Sequence, residues 1–141
     1  MSTRTDKFTV KTKQLENYSD FTNNLDLNPI TGFLSKVSDE ASIKQAMKNL
    51  IYTNRTERYY NSHIGSKLRA LLFEPIEPLT ETLIRDDITE TLNNNEPRIT
   101  LIKIDVRADD DSNQYNITIF FSILNISDET FDLQLTLKRV R

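Results

Sequence analysis

The residues that could do chemistry are few in this chain of 141 residues. It contains one histidine, His63, and no cysteine, which excludes a thiol nucleophile and a multi-histidine or cysteine metal site. Its two glycines, Gly32 and Gly65, cannot build a glycine-rich phosphate loop. No serine lies on the glycine-flanked turn that a serine hydrolase needs. We therefore expect no cofactor and no metal site, and a structural or partner-facing role for His63.

Carboxylates are the abundant reactive groups, with 21 Asp and Glu residues. A glycosidase needs two of them on either side of a sugar bond, one with a raised pKa in an apolar pocket. Here the acids fall on polar faces of predicted helices or in turns. The run Asp109-Asp110-Asp111 lacks the spacing of a calcium loop and is typical of a hairpin turn. We expect no catalytic residues and keep a muramidase as the enzymatic alternative.

The segment Glu96-Pro97-Arg98 is the most distinctive polar motif. Proline fixes its own φ and disfavours helical backbone in the residue before it. In extended backbone, residues i and i+2 point to the same side, so Glu96 and Arg98 would form an acid–base pair. The pair would serve either as a partner contact or as an ordinary surface ion pair.

The charge balance argues against a nucleic-acid partner, because the net charge is −3 and the pI is near 5.2. No stretch of about 18 apolar residues exists for a membrane span, and the first ten residues lack an apolar signal core. Basic residues gather near both ends of the chain, at 4–13 and 138–141, around an acidic middle at 74–90. Such asymmetry could orient contacts with neighbouring subunits, with Arg139 among the candidates.

Apolar spacing predicts three helices. The first begins after Ser38, a good N-cap, and has an apolar stripe at i, i+3, i+4, i+7 and i+8: Ile43, Ala46, Met47, Leu50 and Ile51. The second runs over about 64–73 and is stopped by Glu74-Pro75. The third runs over about 79–92 and ends at three asparagines. Its predicted inner side contains Leu79, Leu83, Ile84, Ile88 and Leu92.

After the third helix the apolar period changes from 3.6 to 2. Three alternating segments follow, separated by polar turns at 109–113 and 127–130. Their apolar residues are Ile102, Ile104, Val106; Tyr115, Ile117, Ile119, Phe121, Ile123; and Phe131, Leu133, Leu135, Leu137. The pattern predicts an α+β fold, with three helices followed by an antiparallel β-meander. We expect one domain over 17–141, preceded by a strand-like arm over 1–16 in which Phe8 and Val10 alternate with polar residues.

Two segments resemble the signatures of the GPW/gene-25-like family, which comprises baseplate wedge proteins of contractile-tailed phages and relatives in type VI secretion baseplates. The first is IYTNRTERYYNSHIGSKLRALLFEP at 51–75, and the second is Glu96-Pro97-Arg98-Ile99. With weaker matches at 29–32 and 41–50, the resemblance covers about residues 18–140. The family usually has Gly-Glu-Arg where this chain has Thr56-Glu57-Arg58, and Phe where Ile64 stands.

The resemblance implies a structural role without catalysis. It implies a fold like the sheath domain that interlocks neighbouring sheath subunits, and a place in the tail baseplate of a virion assembled in the host cytoplasm. The implied partners are other wedge proteins and their helical core bundle, tail sheath subunits, and, as a further candidate, tail tube initiator proteins. Glu96, Pro97 and Arg98 would contact the core bundle. Neither nucleic acid nor membrane is implied.

The sheet and the arm are the implied site of sheath initiation. An open sheet edge invites a further strand. Phe8 and Val10 in the arm, with Arg139 near the other end, are the expected contacts to sheath or neighbouring subunits. A bacterial branch of the family that inhibits delivery of a sigma factor to its protease supplies the other alternative, a regulatory binding adaptor.

Overall fold

The computed structural model describes residues 18–124 and 129–139. It has the elements β1 (Ser19–Phe21), β2 (Lys36–Ser38), α1 (Asp39–Tyr52), α2 (Leu68–Leu71), α3 (Pro78–Asn95), β3 (Ile99–Asp109), β4 (Gln114–Ile123) and β5 (Thr130–Lys138). The predicted α+β class is confirmed. The predicted arm, with Phe8 and Val10, lies outside the described residues.

The first helix forms as its apolar stripe predicts. Ile43, Met47 and Ile51 are buried, and α1 begins directly after Ser38. Ser38 has extended backbone but its hydroxyl makes no capping hydrogen bond. The stripe therefore decides where this helix lies, and the cap contributes less than the sequence suggested.

The third helix faces the core with a different side from the one predicted. Ile84, Ile88 and Leu92 are buried as expected, whereas Leu79 and Leu83 are exposed. Small polar residues, Thr80 and Thr91, and the acid Asp87 complete the buried stripe instead. The prediction erred because it ranked positions by hydrophobicity, while the packed face is set by helical spacing from Ile84 and Ile88.

The second predicted helix, over 64–73, is wrong in length, because α2 contains only Leu68–Leu71. Gly65 has φ of +123°, and a Cβ there would lie 2.5 Å from the carbonyl oxygen of Thr53. The N–H of Ser66 donates to that same oxygen at 2.8 Å. Ser66 is thus bound beside the end of α1, and Gly65 has a φ that a right-handed helix does not use, so the helix starts after them.

The predicted meander is confirmed. The three long strands form an antiparallel sheet in the order β3-β4-β5, with Tyr115 opposite both Ala108 and Leu137. Alternate β4 side chains are buried beneath α3, which packs on β3. The buried β4 residues are Tyr115, Ile117, Ile119, Phe121 and Ile123. Because α1 and α2 pack against α3, one core lies between the helices and one face of the sheet.

A bulge in β3 changes which of its side chains are buried. The pairing with β4 shifts between Leu101 and Lys103, so Ile102 is 56% exposed. Ile104 and Val106, after the shift, are buried as predicted. An inserted residue moves the side chains on one side of it to the other face, which strict alternation in the sequence does not show.

A small ribbon that the sequence analysis did not predict precedes α1. The strands β1 and β2 pair antiparallel, and α1 supports the outer edge of β1 through Gln45. The Gln45 amide donates to the carbonyl of Phe21 at 2.7 Å and accepts from the N–H of Asn23 at 3.3 Å. The Gln45 side chain thus satisfies backbone groups at the outer edge of the ribbon and holds the ribbon beside the helix. It thereby fixes Tyr18, at the ribbon's start, near the sheet.

Candidate functional site

The candidate site is the junction where α3 ends and β3 begins. The N–H of Glu96 closes the helix on the carbonyl of Leu92 at 2.9 Å. Pro97 has no N–H and cannot continue the helical bonding, so the chain turns into β3 within two residues. The Nε of Arg98 donates to Glu96 Oε1 at 2.6 Å, and its Nη2 donates to Oε2 at 2.6 Å. The predicted pairing of Glu96 with Arg98 is confirmed, and it is two-pronged.

Burial differs sharply between the two partners of this ion pair. The Glu96 side chain is 4% exposed, whereas that of Arg98 is 33% exposed. A buried carboxylate without a charged partner destabilises the folded state. The burial of Glu96 therefore depends on its ion pair with Arg98. The pair is therefore more than the exposed ion pair that the sequence analysis kept as one interpretation.

Tyr18 and Leu124 complete the junction. The Arg98 guanidinium carbon lies 5.5 Å from the centre of the Tyr18 ring. The Tyr18 hydroxyl donates to the carbonyl of Leu124 at 3.3 Å, and the Leu124 N–H donates to the carbonyl of Arg98 at 2.9 Å. Contacts through Tyr18 and Leu124 therefore link one face of the Arg98 guanidinium to the Arg98 backbone.

Sequence reasoning did not find these two residues. The hydrogen bond between Tyr18 and Leu124 spans 106 positions in the chain. Neither residue belongs to a periodic pattern that marks it as part of the junction. Only the fold, which closes the ribbon onto the end of β4, brings them to Arg98.

The electrostatics of the junction follow from this geometry. The hydrogen bonds to Glu96 raise the pKa of Arg98 above its ordinary value, and the charge of Asp20 acts in the same direction. Arg98 therefore remains charged at any physiological pH. Within the described residues it faces two acids, so the junction has no excess of positive charge.

Arg139, predicted as a neighbour contact, lies at the far end of β5 and is not brought to the Glu96 junction. Its N–H donates to the carbonyl of Asn113 at 3.1 Å, which fixes the strand end to the β3–β4 turn. Its Nε is buried without a hydrogen-bond acceptor among the described residues. Its role in contacting a neighbour stays a prediction.

The carboxyl group that most resembles a general acid is Asp87 on α3. Burial raises its pKa, and its side chain is 7% exposed. Its Oδ2 accepts the N–H of Lys67 at 2.8 Å, and Arg55 lies between it and Glu90, 4.0 Å from Asp87 and 3.1 Å from Glu90. These contacts tie α3 to the start of α2, which is a structural task.

His63 is exposed and lines a surface depression together with Arg55, Glu90 and Asn94. In the described part of the chain, no three His, Asp or Glu residues are grouped closely enough to hold a metal ion. None of the helices there is long and apolar enough to cross a membrane.

Comparison with known proteins gives one family and one fold. The model of a family described as baseplate wedge protein gp25 matches residues 37–125. Baseplate wedge protein gp25 of Enterobacteria phage T4 is 29% identical over 96 residues, which are 68% of this chain and 73% of the phage protein. The family match at 37–125 contains both signature segments, the Glu96–Arg98 pair and Leu124, whereas Tyr18 lies before it.

Two solved structures share the fold. A putative tail lysozyme from Geobacter sulfurreducens, solved by crystallography, has a TM-score of 0.66 and 22% identity, over 72% of this chain and 92% of that one. A chain of the anti-feeding prophage baseplate, solved by electron cryomicroscopy, has a TM-score of 0.60 and 17% identity, over 88% of this chain and 87% of that one. At these identities the likeness establishes the architecture alone.

Proposed function

Because the chain belongs to the baseplate wedge protein gp25 family, we propose that it is a structural wedge subunit in the tail baseplate of a contractile-tailed particle. It binds the other wedge proteins through their helical core bundle and starts polymerisation of the tail sheath. It has no catalytic activity of its own. The observation that carries this proposal is the family match, which covers residues 37–125 and includes the Glu96–Arg98 pair.

The junction supports docking through Glu96, Pro97 and Arg98. It lies at the boundary between α3 and β3, and Arg98 keeps a third of its side chain at the surface. When a complex buries an arginine against acceptors on the partner, removal of that contact typically weakens binding by several kcal/mol. A preorganised arginine at the surface can therefore anchor the subunit to the scaffold.

The experiment for docking is Arg98→Ala, expressed together with the other wedge proteins. We expect the variant to lose stability, because Glu96 stays buried without its partner, but to fold and to be absent from purified wedges, with binding weakened by about 2–5 kcal/mol. Lys103→Ala is a matched control, because Lys103 pairs with Asp105 at the same i, i+2 spacing in β3, the strand that follows Arg98, but is exposed. Normal incorporation of Arg98→Ala would refute docking at this junction.

The sheet supports a role in sheath initiation. Among the described strands β5 pairs only with β4, so none of them bonds to the backbone N–H and C=O groups of its outer edge. Such an edge can accept a strand from a neighbouring subunit. We propose that a sheath subunit adds its strand at this edge. The arm containing Phe8 and Val10 takes part in the same contact, and so does Arg139, which follows the end of β5.

Two other functions are distinguished by direct measurements. A regulatory adaptor would be encoded away from sheath and tube proteins, so the neighbouring genes separate it from a baseplate subunit. A muramidase would hydrolyse peptidoglycan, and its activity would disappear on a single Asp or Glu change. The engagement of Asp87 with Lys67 and Arg55 argues against its use as a general acid.

A further inference from the structure

The junction distinguishes the roles of its two charged residues. Both carboxylate oxygens of Glu96 accept hydrogen bonds from Arg98, and the side chain is 4% exposed. Glu96 has therefore neither an exposed surface nor an unoccupied oxygen aimed outward. It cannot contact a partner unless the pair comes apart.

Arg98, by contrast, retains donors. A guanidinium has five N–H groups, and the pair with Glu96 uses one on Nε and one on Nη2. Within the described residues no other acceptor binds this side chain, so the Nη1 edge remains available. The ring of Tyr18 lies against the group, and the Leu124 hydrogen bonds hold both the ring and the Arg98 backbone.

The charge around this edge selects the kind of acceptor. Glu96 neutralises Arg98, and Asp20 adds a second acid nearby. A carboxylate arriving at the Nη1 edge would meet two negative charges and one positive charge. An uncharged acceptor, such as a main-chain carbonyl, forms the same hydrogen bonds without that repulsion.

We propose that the free guanidinium edge of Arg98 is the group that contacts the partner, that Glu96 and Tyr18 are positioning residues, and that the partner offers uncharged acceptors. The unpaired carbonyl groups at the C-terminal end of a helix fit this description, because the last four of every helix lack a partner within it. The inference rests on the proposed docking, and it assigns to Glu96 a different task from that of a contact residue.

The test is a double-mutant cycle on the full chain, with the other wedge proteins of its tail purified as a complex and their dissociation constant measured. The variants are Glu96→Gln, Arg98→Ala and the double variant, with Lys103→Ala as the exposed control. We expect Glu96→Gln to weaken binding about tenfold, and the double variant to bind within about twofold of Arg98→Ala alone, since a positioning residue has nothing left to position. Additive losses would overturn the inference, because Glu96 would then contact the partner itself.

Salt dependence provides a second measurement, made first on the unmodified chain. For the unmodified chain, we expect the dissociation constant to change less than about threefold between 50 and 300 mM salt, since a neutral pair meets a neutral acceptor. A steep dependence that Arg98→Ala removes would identify a carboxylate partner and overturn the choice of acceptor. Arg98→Lys should bind as poorly as Arg98→Ala, because lysine lacks the planar fork that Glu96 orients. If Arg98→Ala bound like the unmodified chain, the docking proposal itself would fail.

Discussion

Thr56 is a residue with an unusual backbone conformation at a position where the chain departs from the family signature. It has φ of +71°, in the left-handed region that β-branched residues rarely adopt. Its N–H donates to the carbonyl of Ser62 at 3.0 Å, so the surrounding loop holds it there. The family resemblance at 51–75 implies glycine at this position, and glycine adopts such a conformation without a steric penalty.

Thr56→Gly should therefore stabilise the fold. Strain at a positive φ costs about 1–3 kcal/mol, and the greater chain entropy of unfolded glycine offsets about 0.5–1 kcal/mol of that. We expect a net gain of about 1 kcal/mol, seen as a rise in Tm of about 2–4 °C. Gly32→Ala is the converse control, because Gly32 also has positive φ with open space around it, and it should lower Tm. A Thr56→Gly variant with a lower Tm would contradict the strain argument.

Asp87 gives a pH dependence whose sign can be worked out. Burial raises its pKa above the ordinary value of 3.8, so the folded state holds the Asp87 proton more tightly than the unfolded state does. Ionisation of Asp87 thus destabilises the fold as the pH rises through the folded pKa, and the effect vanishes below about 3.8. Asn in its place keeps an acceptor for the Lys67 N–H but carries no charge.

We expect Asp87→Asn to be more stable than the unmodified chain at pH 7 and equal to it below about pH 3.8, measured by urea unfolding from pH 3 to pH 8. Asp105→Asn is the control of opposite sign. The hydrogen bond from Lys103 lowers the Asp105 pKa, so its ionised form stabilises the fold above 3.8 and that contribution is lost as the pH falls. Lower stability of Asp87→Asn at pH 7 would mean that its contact with Arg55 outweighs burial.

At the scale of elements, the β3 bulge distinguishes two residues that the sequence treats as equivalent. Ile102 and Ile104 occupy the same alternating pattern, yet only Ile104 lies in the core. Ile104→Ala should lower the free energy of unfolding by about 2–5 kcal/mol, whereas Ile102→Ala should change it by less than about 0.5 kcal/mol. Chemical denaturation of the two variants side by side measures the difference. Equal losses would mean that the alternating register continues through Ile102.

The same elements indicate what could be predicted from the sequence. Periodicity identified α1, α3 and all three long strands, because in each a repeated apolar spacing faces one core. It failed for α2, where the Ser66 N–H bonds to the carbonyl of Thr53 and Gly65 lies too close to that carbonyl for a side chain, and for the bulge, where one inserted residue alters the register. Both failures come from contacts between backbone segments, which leave no periodic signal in side-chain type.

The candidate site was only half accessible to the same reasoning. The pairing of Glu96 with Arg98 follows from local geometry around Pro97, so the sequence predicts it. The burial of Glu96 and the approach of Tyr18 depend on long-range closure of the ribbon onto the sheet. The division between a positioning residue and a contact residue therefore requires the fold.

At the scale of the whole molecule, the proposed assembly depends on the N-terminal arm and the edge of β5. Residues 1–13 contain Arg4, Lys7, Lys11 and Lys13 against Asp6 alone, and Phe8 and Val10 alternate with polar residues. This composition suits a strand that pairs with a neighbouring subunit. We expect residues 6–12 to exchange amide hydrogens fast in the isolated protein and to be protected in assembled baseplates. Protection already present in the monomer would assign the arm to the domain's own sheet.

Deletion of residues 1–13 tests the same arm by function. The shortened chain should fold with an unchanged Tm, because the core formed by α1, α3 and the β3-β4-β5 sheet lies within residues 39–138. It should nevertheless start sheath polymerisation poorly, as counted by electron microscopy of baseplates mixed with sheath subunits. Replacing Phe8 and Val10 together by Ala should reproduce the defect, since these two supply the apolar side of the strand, while the matched change of Thr9 and Thr12 to Ala should not. Full polymerisation by the shortened chain would exclude the arm and leave the β5 edge as the sole proposed contact, because that edge keeps its free backbone groups without the arm.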